Sequence, residues 1–208
     1  MKKRILIKAG NFAEAVAKAA EVLKQGGVIA YPTETLYGLG ASLSKEQAVA
    51  RIRKIKGKPE PILALVSGAE MAERYVELDD RARKLIEAFW PGPLTLILKA
   101  RPGISDLVRA GSAGLGLRMS SDRFAKALVK RAGEAITSTS ANLSGKKPWE
   151  NADEIEAELG LELDLIVDDG KRAGKASTVL DLLGGKPKLI REGQIQLNEI
   201  KMVMEWQE

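Results

Sequence analysis

Two stretches of small polar residues follow predicted strands, and both carry side chains that could bind a ligand. Thr33, Glu34 and Thr35 come shortly after the apolar run 28–31, and the run 135–145 begins as a strand and continues in serine, threonine and asparagine. Open α/β sheets place ligand contacts at the ends of buried strands. Hydroxyl and amide groups can donate hydrogen bonds to phosphate, and small side chains let a ligand approach the backbone. The same residues are frequent in turns, so a ligand site and two polar turns both remain open here.

The densest basic segment, 51–59, is a further candidate for binding an anion. Lys54, Lys56 and Lys58 lie there at the predicted end of a helix. They could grip phosphate, or they could be cations placed favourably at a helix C-terminus. A basic, glycine-bearing loop at 169–178 is similar to a P-loop but lacks the glycine spacing of that motif.

The composition limits the chemistry that is available. The chain has 208 residues, which predicts one domain, and it has no cysteine and no histidine. Disulfides, thiolate nucleophiles and the commonest general base are therefore excluded, and catalysis would depend on lysine, arginine, hydroxyls, carboxylates and backbone amides. The net charge of +5 favours anionic partners, although a solvated lysine-rich surface would give the same value. No apolar run approaches membrane-spanning length, so we expect a cytoplasmic protein without a membrane partner.

Apolar periodicity predicts the elements that position these groups. Four helix starts carry predicted N-capping residues: Asn11, Ser44, Asp79 and Ser121. Two further helices are predicted at 151–159 and 195–206. Strands are predicted at 4–8, 28–31, 62–66, 94–99, 115–119, from 135, and at 165–168, 179–183 and 188–191. Because strands and helices interleave irregularly, we expect a layered α/β domain over 1–208, with a twisted mixed parallel and antiparallel sheet flanked by helices.

Several short blocks, taken in order, resemble the YrdC/Sua5 family of threonylcarbamoyl-AMP synthases in its short form. The blocks are Tyr31-Pro-Thr-Glu-Thr-Leu-Tyr-Gly-Leu-Gly40, the basic segment 54–59, Trp90-Pro-Gly-Pro-Leu-Thr95, Arg118, Ser138-Thr-Ser-Ala-Asn-Leu-Ser-Gly145, Ser177-Thr-Val179 and Arg191-Glu-Gly193. Each block alone is weak, whereas their joint order and spacing is specific. The resemblance implies a YrdC-like fold without the additional C-terminal domain of longer relatives.

The resemblance also implies a reaction. L-threonine, bicarbonate and ATP would give threonylcarbamoyl-AMP and pyrophosphate, with Mg²⁺ on the phosphates. The product would feed the threonylcarbamoyl modification of adenosine in tRNA, through a downstream tRNA threonylcarbamoyltransferase complex. Such chemistry asks mainly for two anions to be held together and for charge to be neutralised as pyrophosphate leaves.

The matching positions imply roles for individual residues. Lys54, Lys58 and Arg118 would carry the catalysis. ATP would be held by Lys54, Lys56, Lys58, Ser140, Asn142 and Arg191. Threonine or its carbamate would be held by Thr33, Arg118, Ser138, Ser177 and Thr178, with Arg118 pairing to the amino-acid carboxylate. No protein ligands to a metal are expected.

Two other functions remain open from the sequence. The basic surface would suit a non-catalytic protein that binds tRNA or double-stranded RNA through the phosphate backbone. Because aromatic residues make up only 4% of the chain, stacking on single-stranded bases is disfavoured. A different enzyme on the same fold, such as a sugar-phosphate lyase, would need acidic metal ligands.

Overall fold

The computed structural model describes residues 4–57, 60–143 and 145–204. Within these ranges the elements in chain order are β1 (Arg4–Leu6), α1 (Phe12–Lys24), β2 (Ile29–Tyr31), β3 (Gly38–Gly40), α2 (Glu46–Lys56), β4 (Ala64–Leu65), α3 (Ala69–Ala72), α4 (Asp80–Phe89), β5 (Leu94–Lys99), α5 (Asp106–Arg109), β6 (Gly114–Arg118), α6 (Arg123–Ala132), β7 (Ile136–Thr137), β8 (Thr139–Ser140), α7 (Ala152–Leu159), β9 (Leu165–Asp168), β10 (Thr178–Asp181), β11 (Lys188–Arg191) and α8 (Leu197–Met204). None of the described helices is long and apolar enough to cross a membrane.

The strands form two mixed sheets. One has the order β1-β9-β2-β3-β8, with parallel pairing from β1 to β2 and antiparallel pairing from β2 to β8. The other has the order β11-β10-β5-β6-β4-β7, in which parallel and antiparallel pairs alternate. The predicted α/β class with mixed pairing is confirmed, and the strands are divided over two sheets rather than gathered in one.

The two sheets meet where the chain passes from β7 to β8. Thr137 ends the strand that pairs with β4 in the six-stranded sheet, and Thr139 begins the strand that pairs with β3 in the five-stranded sheet. Ser138 lies between them, and its backbone N–H donates to the carbonyl of Leu63. One short segment therefore brings polar side chains to the junction of both sheets.

The helices bury one apolar face each, as their periodicity predicts. In α1 the buried residues are Ala15, Val16, Ala19, Ala20 and Leu23, and in α6 they are Phe124, Ala125, Leu128 and Val129. The rings of Phe12 and Phe124 meet edge to face, with centroids 6.1 Å apart. Burial of such faces is the main source of stability in an aliphatic core of this kind.

Of the four predicted N-caps, Asp79 is right, Asn11 occupies the N-cap position without a side-chain capping bond, and Ser44 and Ser121 are wrong. The Asp79 carboxylate accepts from the N–H of Ala82. The Asn11 side chain instead bonds backward, accepting from Lys8 N–H and donating to the Leu6 carbonyl, so it stabilises the preceding turn. The helix predicted after Ser44 has Lys45 at its N-cap position with no side-chain cap, because the Ser44 hydroxyl bonds to Ser42.

The other wrong cap is Ser121, whose neighbour Asp122 caps α6 instead. The Asp122 carboxylate accepts from two N–H groups of the first turn, those of Phe124 and Ala125. A carboxylate at this position also interacts favourably with the helix dipole. The strand predicted at 62–66 shrinks to Ala64–Leu65, and the described part of the last helix is Leu197–Met204.

Candidate functional site

A cavity of about 350 Å³ lies where the two sheets meet. Its walls come from the turn after β2, the end of α2, β4, the end of β6, the β7–β8 segment, the residues just before β10 and the end of β11. The polar residues that line it are Thr33, Thr35, Tyr37, Lys56, Glu60, Arg118, Ser138, Thr139, Ser140, Asn142, Ser177 and Arg191. Segments far apart in the chain thus contribute cations, hydroxyls and an amide to one hollow.

Lys56 lies at one side of this cavity, at the last residue of α2. The helix ends there because Gly57 adopts a left-handed conformation with φ of 69°, which glycine tolerates at no steric cost. The Lys56 Nζ donates to the carbonyls of Ser140 and Asn142, each at 2.9 Å, and to Asn142 Oδ1 at 2.5 Å. Burial lowers the pKa of Lys56 to about 8, and the charge of Glu60 partly opposes that shift.

Asn142 organises the loop that receives the lysine. Its Oδ1 also accepts from the Ser140 hydroxyl at 2.7 Å, and its Nδ2 donates to the Lys146 carbonyl at 2.6 Å. The Asn142 side chain is buried, so these bonds are shielded from water. Lys56, Ser140 and Asn142 therefore form one connected polar group.

Arg118 lies on the other side of the cavity, at the end of β6, and pairs with Glu34. Its Nη1 donates to Glu34 Oε1 across 84 positions of sequence. The second oxygen of Glu34 accepts from the Ser120 hydroxyl. Only 7% of the Arg118 side chain and 14% of the Glu34 side chain are exposed, so solvent screens this ion pair weakly. Nε and Nη2 of Arg118 have no hydrogen-bond partner among the described residues.

Arg191 stands beside Arg118 at the end of β11. Its Nε donates to the Ser177 carbonyl at 3.0 Å and its Nη2 to the Ser177 hydroxyl at 3.2 Å. The Ser177 hydroxyl lies 3.0 Å from that of Thr95. Partial burial lowers the pKa of Arg191, and the positive charge of Arg118 lowers it further. Two guanidinium groups close enough to repel each other form a natural site for an anion.

A family model described as "Telomere recombination", for the Sua5, YciO and YrdC proteins, matches residues 21–193. The chain belongs to the Sua5/YciO/YrdC family. The resemblance predicted from the sequence blocks is thereby confirmed.

Relatives with names place this member within the family. The threonylcarbamoyl-AMP synthase of Pyrococcus abyssi (strain GE5 / Orsay) is 35% identical over 190 residues, which are 89% of this chain and 56% of that protein. The threonylcarbamoyl-AMP synthase of Bacillus subtilis (strain 168) is 37% identical over 194 residues, or 91% of this chain and 56% of that protein. The crystal structure of P. abyssi Sua5 complexed with L-threonine superposes with a TM-score of 0.89 at 32% identity, covering 97% of this chain and 60% of that one. The chain thus spans a little over half the length of these relatives.

Most residues that the family motifs singled out line the cavity. These are Thr33, Lys56, Arg118, Ser138, Ser140, Asn142, Ser177 and Arg191. Thr33 uses its hydroxyl within its own turn: it donates to the Leu36 carbonyl at 2.6 Å and accepts from Thr35 N–H and Leu36 N–H. Its predicted contact with threonine stays a prediction.

Two of the predicted residues that the structure describes, Lys54 and Thr178, are not found in the cavity lining. Lys54 is exposed and borders a separate surface hollow beside Arg51 and Leu143. Thr178 is buried behind the wall, where its hydroxyl donates to the Ile195 carbonyl at 2.5 Å and accepts from Gly193 N–H at 2.8 Å. Lys58 lies outside the described residues.

Gly193 ends the Arg191-Glu-Gly block at a point where two backbone segments approach closely. A Cβ atom at this position would lie 2.2 Å from the Ala176 carbonyl oxygen. The close approach lets the segment after β11 pack on the residues that precede β10, which places Arg191 against Ser177. A larger residue would have to separate these two segments.

The sequence singled out Glu34 only as a member of a polar cluster, and it did not single out Ser120 or Tyr37 as residues that support the site. Glu34 and Ser120 hold Arg118, and Tyr37 holds a strap formed by residues 169–177. The Tyr37 hydroxyl donates to the Gly170 carbonyl at 2.8 Å and accepts from Asp169 N–H at 3.1 Å. Burial raises the pKa of Tyr37. Glu34 and Tyr37 stand inside the quoted 31–40 block, so that block was the available signal.

The described residues contain no group of three or more Asp, Glu, His or Cys side chains that could hold a metal ion. Glu60 is the carboxylate that lines the cavity, and it is exposed. This donor set fits Mg²⁺ that arrives with a nucleotide and keeps phosphate and water ligands, which is the ordinary mode for this ion.

Proposed function

We propose that this protein is a threonylcarbamoyl-AMP synthase, a nucleotidyltransferase that converts L-threonine, bicarbonate and ATP into threonylcarbamoyl-AMP and pyrophosphate. Relatives at 35% and 37% identity over most of this chain carry that name. The similar P. abyssi structure was solved with L-threonine. Both support the same substrate class.

The observation that carries the proposal is the convergence of Lys56, Arg118 and Arg191 on one cavity together with hydroxyl and amide groups. ATP brings a triphosphate and threonine brings a carboxylate, so the reaction must hold several negative charges close together. Three cations in a partly enclosed hollow offset their mutual repulsion and fix their orientation. The absence of histidine suits a reaction that depends on charge neutralisation more than on proton transfer.

The position of each residue in the cavity indicates its role. The Arg118 guanidinium pairs with the amino-acid carboxylate, since Nε and Nη2 remain available for two parallel bonds. Lys56 exchanges its bonds to Ser140 and Asn142 for the phosphates, and the freed oxygens and hydroxyl then contact the nucleotide. Lys58 joins Lys56 on the phosphates by its position in the family motif.

The bond changes follow from the substrates. The threonine nitrogen adds to carbon dioxide and loses a proton, or it displaces water from bicarbonate, and either route gives a carbamate. A carbamate oxygen then attacks the α-phosphorus of ATP as the bond to the β,γ-pyrophosphate breaks. Mg²⁺, held through the phosphates and water, would neutralise charge on the leaving pyrophosphate.

The product is a mixed anhydride that hydrolyses readily, so an acceptor must receive it soon. We propose that a tRNA threonylcarbamoyltransferase complex is that partner and that tRNA adenosine is the final acceptor, in the cytoplasm.

Pyrophosphate release measured with each substrate omitted in turn tests the proposal. We expect release to require both threonine and bicarbonate, and labelled bicarbonate to enter an adenylate only when threonine is present. Release from ATP that is indifferent to threonine would refute the synthase assignment. Binding to double-stranded RNA without any such release would favour the RNA-binding alternative.

A further inference from the structure

Glu34 is a largely buried carboxylate that touches the cavity only through Arg118. It does not line the hollow, whereas Arg118 does. Both of its oxygens are occupied, one by Arg118 Nη1 and the other by the Ser120 hydroxyl. Glu34 can therefore affect a bound ligand by the way it holds the guanidinium and by its charge, but not by direct contact.

Glu34 is held in place from two separate segments: the turn after β2 fixes its backbone, and Ser120 contacts its carboxylate. On one side, the Thr33 hydroxyl closes the turn around it by bonding to Thr35 N–H, Leu36 N–H and the Leu36 carbonyl. On the other side, Ser120 accepts from Asp122 N–H at 3.2 Å, just before α6 begins. A carboxylate fixed in this way anchors Nη1 of Arg118 and so restricts how the guanidinium can turn.

Glu34 also changes the charge of the anion site. Arg118 and Arg191 face the same hollow, and among the described residues Glu34 is the carboxylate that forms an ion pair with either of them. With Glu34 in place, the three groups carry a net charge of about one positive unit. Without it they would carry about two, and solvent screens the charge of the largely buried Arg118 only weakly.

We propose that Glu34 is a positioning residue for the amino-acid substrate. It orients Arg118 so that the free Nε and Nη2 donors meet the carboxylate of threonine, and it keeps small inorganic anions from occupying the site in place of threonine. This inference rests on the proposed function for the identity of the amino acid, and on the ion-pair geometry for everything else.

Glu34→Gln tests the charge because the amide keeps the shape of the side chain. Titration calorimetry would measure binding of L-threonine, ATP and sulfate to the variant and to the unchanged protein at equal ionic strength. We expect threonine to bind about tenfold more weakly and sulfate about tenfold more tightly, with ATP changed by less than about twofold. Glu77→Gln removes a carboxylate from an exposed pair with Lys99 and is the matched control, for which all three affinities should stay unchanged.

Ser120→Ala is the second variant, and it serves if Glu34→Gln does not fold. It keeps the carboxylate but removes one of its two contacts, so orientation is loosened while charge is retained. We expect threonine affinity to fall about threefold and sulfate affinity to stay unchanged. This split separates the orienting effect from the charge effect.

The outcomes are distinct. If Glu34→Gln lowers the melting temperature but leaves threonine and sulfate affinities unchanged, Glu34 is a purely structural group and the inference is wrong. If the unchanged protein binds ATP but not threonine, the proposed function fails. In that case, tighter sulfate binding by Glu34→Gln would still support the charge effect, and unchanged sulfate binding would overturn it.

Discussion

The two sides of the cavity stabilise their cations with different kinds of partner. On the lysine side, formed by Lys56, Ser140 and Asn142, the ammonium group faces two backbone carbonyls and an amide oxygen. On the arginine side, formed by Arg118, Arg191, Glu34 and Ser177, one guanidinium has a carboxylate partner. Neutral oxygens satisfy hydrogen bonds but do not cancel charge.

The difference shows what each side is suited to bind. The desolvation of Lys56 is not repaid by a contacting anion, and its pKa falls to about 8. A bound phosphate would supply that anion, so the lysine side would gain more binding free energy from the negative charge of a ligand than from the geometry of its hydrogen bonds. On the arginine side Glu34 already neutralises part of the positive charge. That side would therefore gain more binding free energy from the directional bonds that a planar carboxylate can form with a guanidinium.

Lys56→Met should have the largest effect and sharpens this comparison most. The side chain keeps its length but loses the charge that offsets the phosphates, so we expect pyrophosphate release to fall about a hundredfold. Steady-state kinetics with ATP varied would measure the loss. Lys54→Met is the matched control two residues earlier in the same helix, and we expect it to retain nearly full activity.

A similar loss in both lysine variants would contradict the placement of the phosphate site on the Lys56 side. A loss in Lys54→Met alone would support the role predicted for Lys54 from the sequence and would move the phosphates toward the second surface hollow.

The two lysines illustrate what the sequence could and could not predict. Helix α2 and its basic end were predictable from periodicity. Residues two apart on a helix point about 200° away from each other, so only one of Lys54 and Lys56 can face the β7–β8 segment. Which one does so depends on how the helix packs, through Ala48, Ile52 and Ile55, and no local pattern gives that rotation relative to a distant loop.

Arg118→Ala should have the next largest effect, and it tests the arginine side. Removing the guanidinium takes away the paired donors, so we expect the threonine concentration needed for half-maximal rate to rise at least about thirtyfold. The ATP requirement should change far less. Equal increases for the two substrates would show that Arg118 does not mark the amino-acid half of the cavity.

The Arg118–Glu34 pair was beyond local sequence analysis for a different reason. Arg118 was predicted as a substrate ligand, but its partner lies 84 positions away, after a strand of the other sheet, and tertiary packing decides how the turn after β2 meets the end of β6. Regular strands were easier: the bounds predicted for 94–99, 165–168 and 188–191 are those observed. Helix caps were harder because side chains such as Asn11 and Ser44 had competing partners nearby.

Raising the pH should weaken ATP binding by less than Arg118→Ala weakens threonine binding, and this change tests the lysine side alone. Because the pKa of Lys56 is about 8 without ligand, the ammonium form is lost as the pH rises through that value. ATP phosphates favour the ammonium form, so ATP binding should be accompanied by proton uptake near pH 8. We expect ATP affinity to fall up to about tenfold between about pH 7 and pH 9.

Calorimetry in buffers of different ionisation enthalpy would detect the proton uptake, and Lys56→Met should abolish it. A pH-independent affinity would contradict a titrating Lys56 in the ATP site.

Thr178→Val should have the smallest effect on binding, and it separates two roles for a residue predicted to contact the substrate. The hydroxyl is buried and bridges the Ile195 carbonyl and Gly193 N–H, so the nearly isosteric valine would leave both groups without that partner. We expect unfolding free energy to fall by about 1–3 kcal/mol, because unsatisfied buried groups carry their desolvation cost. Threonine affinity should fall by no more than about threefold, since Arg191 would be displaced only indirectly.

Thr178→Ser keeps the hydroxyl and should restore most of the stability. Denaturant unfolding together with threonine titration measures both quantities. A large loss of affinity at unchanged stability would instead place Thr178 in contact with the substrate, and the arginine side would then extend behind the wall that now conceals it.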